Sequence, residues 1–275
     1  MTQEKLLVTL EEGVRRITFN RPERRNSIDF ETFELFRDAV VEAGRDPETR
    51  VVVLTGAGDS FSAGADLSAV AERGTDIASF DVSAHLREHT TPAILAMRQS
   101  PKPFVARVHG PCVGIGFSYA LACDVVVASR EATFGQGFIR IGLMPDGGST
   151  FLLPQLIGAR KAFELMATGE QISAEEALRL GVVNRVVALE ELDAAVEQLV
   201  RALASAAQPA LGKLKAALSA QSITALTDAL EFEAEGQQAC FHSPDFLEGV
   251  TAFMQKRKPV FGKGRGRRES AAQGD

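Results

Sequence analysis

The stretch VVVLTGAGDSFSAGADL, residues 51–67, decides the fold, because a continuous apolar run leads directly into a glycine-rich loop and a helix start. Apolar residues without alternation are typical of a strand that is covered on both faces. The same order returns in FVARVHGPCVGIGFSYALA, residues 104–122. Two units of strand, glycine loop and helix predict a mixed α/β core.

The segments on either side of these units predict an opening hairpin and a helical end. Residues 6–10 and 14–19 are strand-like runs joined by a short turn, and Asp29 is placed to cap a following helix. Residues 189–258 are rich in Ala, Leu, Glu and Gln. We therefore predict an α/β core over residues 1–195, a helical region over 196–260 and a disordered basic tail over 261–275.

Composition excludes several classes of protein. The formal net charge is -6, so the chain as a whole does not attract nucleic acid. Three cysteines are too few, and odd in number, for a disulfide framework, which favours a reducing compartment. The first residues lack the apolar stretch of a signal peptide. We expect a soluble cytoplasmic protein with neither a nucleic-acid nor a membrane partner.

The two glycine loops are candidates for chemistry. Glycine lets the backbone approach a ligand closely, and helix N-termini direct N–H groups outward. Two such loops on adjacent strands could converge on one oxygen atom, as an oxyanion hole requires. They could equally be tight turns, which often contain glycine. The segment around Gly114 and Gly116 lacks the third glycine of a nucleotide-binding fingerprint.

Several motifs resemble the crotonase (enoyl-CoA hydratase/isomerase) superfamily. Residues 62–67 (SAGADL) and 109–116 (HGPCVGIG) are similar to its two oxyanion loops, and residues 142–148 (GLMPDGG) and 246–257 continue the match in family order. The resemblance implies a core of ββα superhelical turns and a helical C-terminal region that forms a trimer or a dimer of trimers. It also implies an acyl-coenzyme A substrate and no separate cofactor.

The resemblance also implies roles for individual residues. The backbone N–H groups of Ala63 and Ile115 would be the oxyanion donors. Phe253 and Lys256 would approach coenzyme A from a neighbouring subunit, where cations suit its phosphates. The residues that would contact coenzyme A are Arg24, Ala63, Ala65, Asp66, Leu67, Phe253 and Lys256.

The departures from the family pattern decide the expected reaction. Ser118 and Phe138 stand where hydratases have two glutamates, so these positions would line the acyl pocket without supplying an acid. Asp146 occupies the position of the base in isomerases of the family, and the pattern is nearest to the branch of ring-epoxide phenylacetyl-CoA isomerases. A purely structural role is the alternative, with Asp146 as the N-cap of a helix that begins at Gly147.

We therefore expect an acyl-CoA isomerase in which Asp146 shifts a double bond, or a ring-epoxide-derived enolate, by proton transfer. Phe138 would exclude water and raise the pKa of Asp146. Three alternatives remain: an enoyl-CoA hydratase of the fatty-acid β-oxidation type, a non-catalytic acyl-CoA-binding homologue, and an aryl-CoA dehalogenase with Asp146 as nucleophile. The last would also need a tryptophan, which this chain lacks.

The pentapeptide HLREH, residues 85–89, matches an H-x-x-E-H zinc-peptidase signature. His85 and His89 are four residues apart and would share a helix face. No acidic third ligand with its own helix context follows, so we expect no metal site. The signature leaves open whether His85 or His89 enters the acyl pocket.

Overall fold

Two sheets form the centre of the fold in the computed structural model, which describes residues 4–72 and 79–262. The strands of the described chain are β1 (Leu6–Glu11), β2 (Val14–Phe19), β3 (Val51–Gly56), β4 (Phe104–Val108), β5 (Pro111–Val113), β6 (Val125–Ser129), β7 (Thr133–Gly135), β8 (Gln171–Ser173) and β9 (Arg185–Val187). The larger sheet has the order β1-β2-β3-β4-β6-β9, and the smaller has the order β5-β7-β8. β1 and β2 form the predicted antiparallel hairpin, and the other pairs of the larger sheet are parallel.

Helices connect and cover the strands. They are α1 (Phe30–Arg45), α2 (Leu67–Ala71), α3 (Val82–His85), α4 (Thr91–Gln99), α5 (Ile115–Ala122), α6 (Ser149–Ile157), α7 (Ala159–Thr168), α8 (Ala174–Arg179), α9 (Leu189–Ser205), α10 (Gln208–Ala220), α11 (Ile223–Phe241) and α12 (Pro244–Met254). A π-helical turn at Leu86–Thr90 joins α3 to α4, and 3-10 turns lie at Pro22–Arg24 and Gly137–Ile141. The Asp29 carboxylate caps α1 by accepting a hydrogen bond from the Thr32 N–H at 2.9 Å, as predicted.

From β4 to β7, successive strands go to different sheets, which produces the expected ββα units. β4 pairs with β6 in the larger sheet, while β5, which follows β4 directly, pairs with β7 in the smaller sheet. The loop after β3 joins the same arrangement, because Ser62 forms a parallel bridge with Cys112 of β5. Repeated units of this kind stack the glycine loops on one another. The predicted fold class is confirmed.

The helical end does not begin at the predicted boundary. The position between residues 195 and 196 falls inside α9, whose Leu192, Val196 and Val200 pack on the valines of the larger sheet. Burial of this apolar face makes α9 part of the core. α11 and α12 then pack against α3, α6 and the 3-10 turn at Gly137–Ile141. Of the predicted tail, residues 263–275 lie outside the described residues.

Crossing a bilayer requires a helix that is both long and apolar. No helix within residues 4–72 and 79–262 meets both requirements.

Candidate active site

A cavity of about 370 Å³ opens where the two glycine loops meet α1, α3, α11 and α12. Its wall is strongly aromatic. In the described residues, the phenylalanines that line it are Phe30, Phe33, Phe80, Phe138, Phe241, Phe246 and Phe253. Asp146 is the one carboxylate among the described lining residues. The cavity therefore combines an apolar wall with a single acid.

The two glycine loops are in direct contact at the edge of this cavity. Gly64 has φ +92°, and a Cβ atom there would lie 3.0 Å from the Val113 carbonyl oxygen. Gly114 has φ +57°, and its Cβ would lie 3.7 Å from the Gly64 Cα. Both positions favour glycine, because L-residues rarely adopt such angles, and at Gly64 the neighbouring backbone also leaves little space. The close approach brings the residues after each glycine, Ala65 and Ile115, to the same end of the cavity.

Hydrogen bonding identifies which N–H groups of the loops are available. Ile115 is the first residue of α5, and the first N–H of a helix has no partner within the helix. The Ala63 N–H, in contrast, donates to the Arg25 carbonyl oxygen at 2.9 Å. The expectation that Ala63 supplies the first oxyanion donor is therefore wrong. The Ala65 N–H has no hydrogen-bond partner within residues 4–72 and 79–262, and Ala65 lines the cavity.

Asp146 is held from two sides. Its carbonyl oxygen accepts hydrogen bonds from the hydroxyl groups of Ser118 (2.7 Å) and Ser149 (2.8 Å). Its carboxylate Oδ2 accepts a hydrogen bond from Gln237 Nε2 of α11 at 2.7 Å. Oδ1 is buried and has no hydrogen-bond partner among the described residues. One oxygen of the carboxylate is thus fixed, and the other is left for a reacting group.

Burial raises the pKa of Asp146 from its ordinary value of 3.8 to about 7. The hydrogen bond from Gln237 opposes this rise, and the nearby charge of Glu233 adds to it. A carboxylate with a pKa near neutrality can both accept and return a proton at physiological pH. The predicted direction of this shift agrees with the structure.

Asp146 does not cap the following helix. α6 begins at Ser149, and the N–H groups of Gly148 (2.7 Å) and Thr150 (2.9 Å) donate to the two carboxylate oxygens of Glu233 in α11. A buried carboxylate at this helix N-terminus satisfies the first N–H groups and complements the helix dipole. Glu233 therefore performs the capping role that was the alternative interpretation of Asp146.

The two positions that lack the hydratase glutamates differ in location. Phe138 lines the cavity, as expected. Ser118 is fully buried and lies behind Asp146, where its hydroxyl group holds the Asp146 carbonyl oxygen. Its expected place in the acyl pocket is therefore wrong, because this hydrogen bond turns the side chain toward the backbone of the Asp146 loop.

Only some of the residues expected to contact coenzyme A line the cavity. Ala63, Ala65, Leu67 and Phe253 line the cavity. The Asp66 carboxylate is buried, pairs with Arg21 Nη2 at 2.8 Å and caps α2, so its hydrogen-bonding capacity is used within the chain.

The remaining coenzyme A candidates are Arg24 and Lys256, which are exposed and lie away from the cavity wall. Phe253 lines the cavity of its own chain, whereas the resemblance placed it against a neighbour's ligand.

The two histidines of the HLREH segment lie in different surroundings. His85 lines the cavity, and its ring centre lies 5.0 Å from that of Phe33. The His89 Nδ1 contacts Arg37 Nη1 at 2.9 Å, and burial lowers the pKa of His89. Among the described residues, no three His, Cys, Asp or Glu side chains are grouped so that they could hold a metal ion.

Gln237 and Glu233 were not anticipated from the sequence. They are four residues apart on one face of α11 and nearly fully buried, and both act on the Asp146 region. Polar residues at this spacing normally indicate a solvated helix face, so no sequence signal pointed to them. Phe30 and Phe33 of α1 also line the cavity, and the sequence did not indicate that role.

Comparisons with known proteins identify the family of this chain. Residues 9–264 match the family model for enoyl-CoA hydratase/isomerase. The chain is 36% identical over 260 residues to 1,2-epoxyphenylacetyl-CoA isomerase of Escherichia coli (strain K12), which covers 94% of this chain and 98% of that protein. It is 35% identical over 262 residues to crotonyl-CoA hydratase of Syntrophomonas wolfei, which covers 95% of this chain and 99% of that protein.

Structural similarity covers the same range. A crystal structure of an enoyl-CoA hydratase from Mycobacterium avium subsp. paratuberculosis K-10 superposes with a TM-score of 0.86 at 39% identity, covering 94% of this chain and 99% of that one. The matches span both the α/β core and the helical end that carries Gln237. The chain belongs to the enoyl-CoA hydratase/isomerase family and has the crotonase fold.

Proposed function

We propose that this enzyme is an acyl-CoA isomerase in which the Asp146 carboxylate moves a proton between two carbon atoms of the acyl group. The observation that carries the proposal is Asp146 itself: a buried carboxylate in an apolar cavity, with one oxygen bonded to Gln237 and the other without a partner among the described residues. Relatives named as isomerases and as hydratases match at similar identity. The choice of isomerase over hydratase therefore rests on the chemistry of the site.

The thioester oxygen is proposed to accept hydrogen bonds from the N–H groups of Ala65 and Ile115. Asp146 Oδ1 takes a proton from the carbon next to the thioester carbonyl, and the electron pair of that C–H bond moves onto the thioester oxygen. The resulting dienolate is stabilised by the two N–H donors. The protonated Asp146 then returns the proton to the far end of the conjugated system, which shifts the double bond with no net gain or loss of atoms.

The same site is poorly suited to hydration. Addition of water needs one group that deprotonates the water and a second that delivers a proton to carbon. Among the described lining residues, Asp146 is the one carboxylate, and Phe138 stands where the second acid would be expected. An apolar wall also excludes the water that hydration consumes. These features favour isomerisation over hydration.

Deuterium exchange tests the proposal. Phenylacetyl-CoA and 3-hexenoyl-CoA would be incubated with the enzyme in D₂O, and exchange of the protons next to the thioester would be followed by mass spectrometry. We expect exchange with the native enzyme and at least about a 10²-fold loss with Asp146→Asn, the lower range for a general base. Binding of the saturated thioester hexanoyl-CoA should be retained, because the oxyanion donors are backbone groups.

Three results would count against the isomerase. Native exchange in the Asp146→Asn variant would show that this carboxylate is not the base. Tight binding of both thioesters without exchange in the native enzyme would favour the non-catalytic acyl-CoA binder. With 4-chlorobenzoyl-CoA, an ester between the Asp146 carboxylate and the ring carbon, formed as chloride leaves, would instead indicate the dehalogenase type of chemistry.

We also propose that the enzyme is a trimer or a dimer of trimers, as the family resemblance implies. Large apolar side chains on the outside of the helical end support association of subunits: Leu218 and Phe232 are 70% and 69% exposed. Light scattering on the purified protein tests this, and a monomer that binds hexanoyl-CoA would contradict it.

A further inference from the structure

Gln237 uses both ends of its side-chain amide in hydrogen bonds. It is 2% exposed and lies on α11, 91 residues along the chain from Asp146. Its Nε2 donates to Asp146 Oδ2 at 2.7 Å and to the Met144 carbonyl oxygen at 2.9 Å. Its Oε1 accepts a hydrogen bond from the Met144 N–H at 3.2 Å.

These contacts fix which end of the amide faces Asp146. A backbone N–H can only donate, so the amide oxygen of Gln237 must be the atom that faces the Met144 N–H. The amide nitrogen therefore faces the Met144 carbonyl oxygen and Asp146. An NH₂ group is a donor only, so it favours the ionised carboxylate over the protonated one.

We propose that Gln237 is a positioning residue for the reaction: its amide holds Oδ2 of the Asp146 carboxylate so that Oδ1 is the oxygen that exchanges the proton with the substrate. This inference rests on the proposed role of Asp146 as the base. Gln237 itself touches neither the thioester oxygen nor the reacting carbons in this scheme. The C-terminal helix α11 thereby becomes part of the catalytic apparatus of its own chain.

Other ionisable groups near Asp146 come from four elements. Glu233 lies one turn before Gln237 on α11, and its charge raises the pKa of Asp146. Tyr119 of α5 stays neutral, because burial raises the pKa of its phenol. His85 of α3 and Arg140 of the 3-10 turn at Gly137–Ile141 line the same cavity.

The test is the pH profile of deuterium exchange in variants of Gln237. Gln237→Met removes the Nε2 donor and replaces the amide by an apolar side chain of similar length. Gln237→Glu keeps the shape and the acceptor for the Met144 N–H, but it replaces the donor by a second carboxyl group. Glu235→Gln, on the exposed face of the same helix, is the control, and its pH profile should match that of the native enzyme.

A hydrogen bond to a charged group changes the proton equilibrium by about 10- to 100-fold, which is about one to two pH units. In Gln237→Met, loss of the donor raises the pKa of Asp146, so the acidic limb of the profile should move up by that amount. Because Asp146, with a pKa of about 7, is half ionised at pH 7 in the native enzyme, exchange at that pH should fall by about 5- to 50-fold and recover in part by pH 9. Gln237→Glu should move the limb in the same direction, since two adjacent carboxyl groups share a proton.

A purely structural role gives a different result. If Gln237 only supports the fold, both variants lower the exchange rate equally at every pH, or leave it unchanged, and the acidic limb stays in place; either outcome overturns the proposal. Should the Met variant fail to fold, the isosteric Glu variant decides. If Asp146→Asn keeps native exchange, the isomerase proposal fails; if only the Gln237 variants behave as native, the positioning role alone fails.

Discussion

Asp146→Asn should stabilise the protein increasingly as the pH rises, although it removes the proposed base. Burial raises the pKa of Asp146 from 3.8 to about 7, so the folded protein holds this proton more tightly than the unfolded chain. A group of this kind lowers the free energy of unfolding progressively from about pH 4 to about pH 7, and the full cost applies above that range. The difference in pKa corresponds to about 4 kcal/mol at pH 8.5 and to about 1–2 kcal/mol at pH 5.

The asparagine brings a cost of its own. Its carbonyl oxygen can still accept the hydrogen bond from Gln237, but its NH₂ group would be buried at the place of Oδ1, which has no partner among the described residues. A buried unsatisfied donor costs about 1–3 kcal/mol at any pH. The net gain at pH 8.5 is therefore about 1–3 kcal/mol, and at pH 5 the variant is equal to the native protein or weaker. The change between the two pH values, about 3 kcal/mol, is independent of that cost.

Urea denaturation of the two proteins at pH 5 and pH 8.5, at one protein concentration, measures this change. Asp228→Asn is the matched control, because it removes a carboxylate from the exposed surface of α11. It measures the effect of losing an exposed carboxylate from the same helix at each pH. A difference between Asp146→Asn and the native protein that is independent of pH, or that shrinks as the pH rises, would refute the reasoning about the buried charge.

Three further outcomes are expected. Ile115→Pro removes the proposed oxyanion donor at the first position of α5, where a helix accepts proline. Turnover should fall by about 10²- to 10³-fold, while Ile115→Val stays near the native rate. Equal rates in the two variants would exclude this donor. Hydration of crotonyl-CoA should be slow or absent, and a steady-state rate of hundreds of turnovers per second would contradict the assignment of the site. Gly249→Ala should lower the melting temperature and weaken hexanoyl-CoA binding. A Cβ atom at this position would collide with the Ile141 backbone and push α12 from the cavity, which lowers the free energy of unfolding by about 1–3 kcal/mol. An unchanged melting temperature would show that α12 does not pack as described.

The sequence alone determined the features that depend on neighbouring residues. Apolar runs followed by glycine loops predicted the buried strands and the close turns, because period and turn chemistry are local properties. The cap of α1 by Asp29 was predicted for the same reason, since a cap and its N–H partner are three residues apart. The motif around Asp146 also located the one carboxylate among the described residues of the cavity wall.

Tertiary structure decided the contacts between distant segments. Residues 25 and 63 meet through a backbone hydrogen bond, which uses the N–H of Ala63 and leaves the N–H of Ala65 for the proposed oxyanion site. Glu233 takes the capping role at α6, and Gln237 holds Asp146 from 91 residues away. Composition and spacing along α11 do not record which segment it packs against. The environment that raises the pKa of Asp146, and with it the proposed chemistry, therefore arises only when the C-terminal helices close over the α/β core.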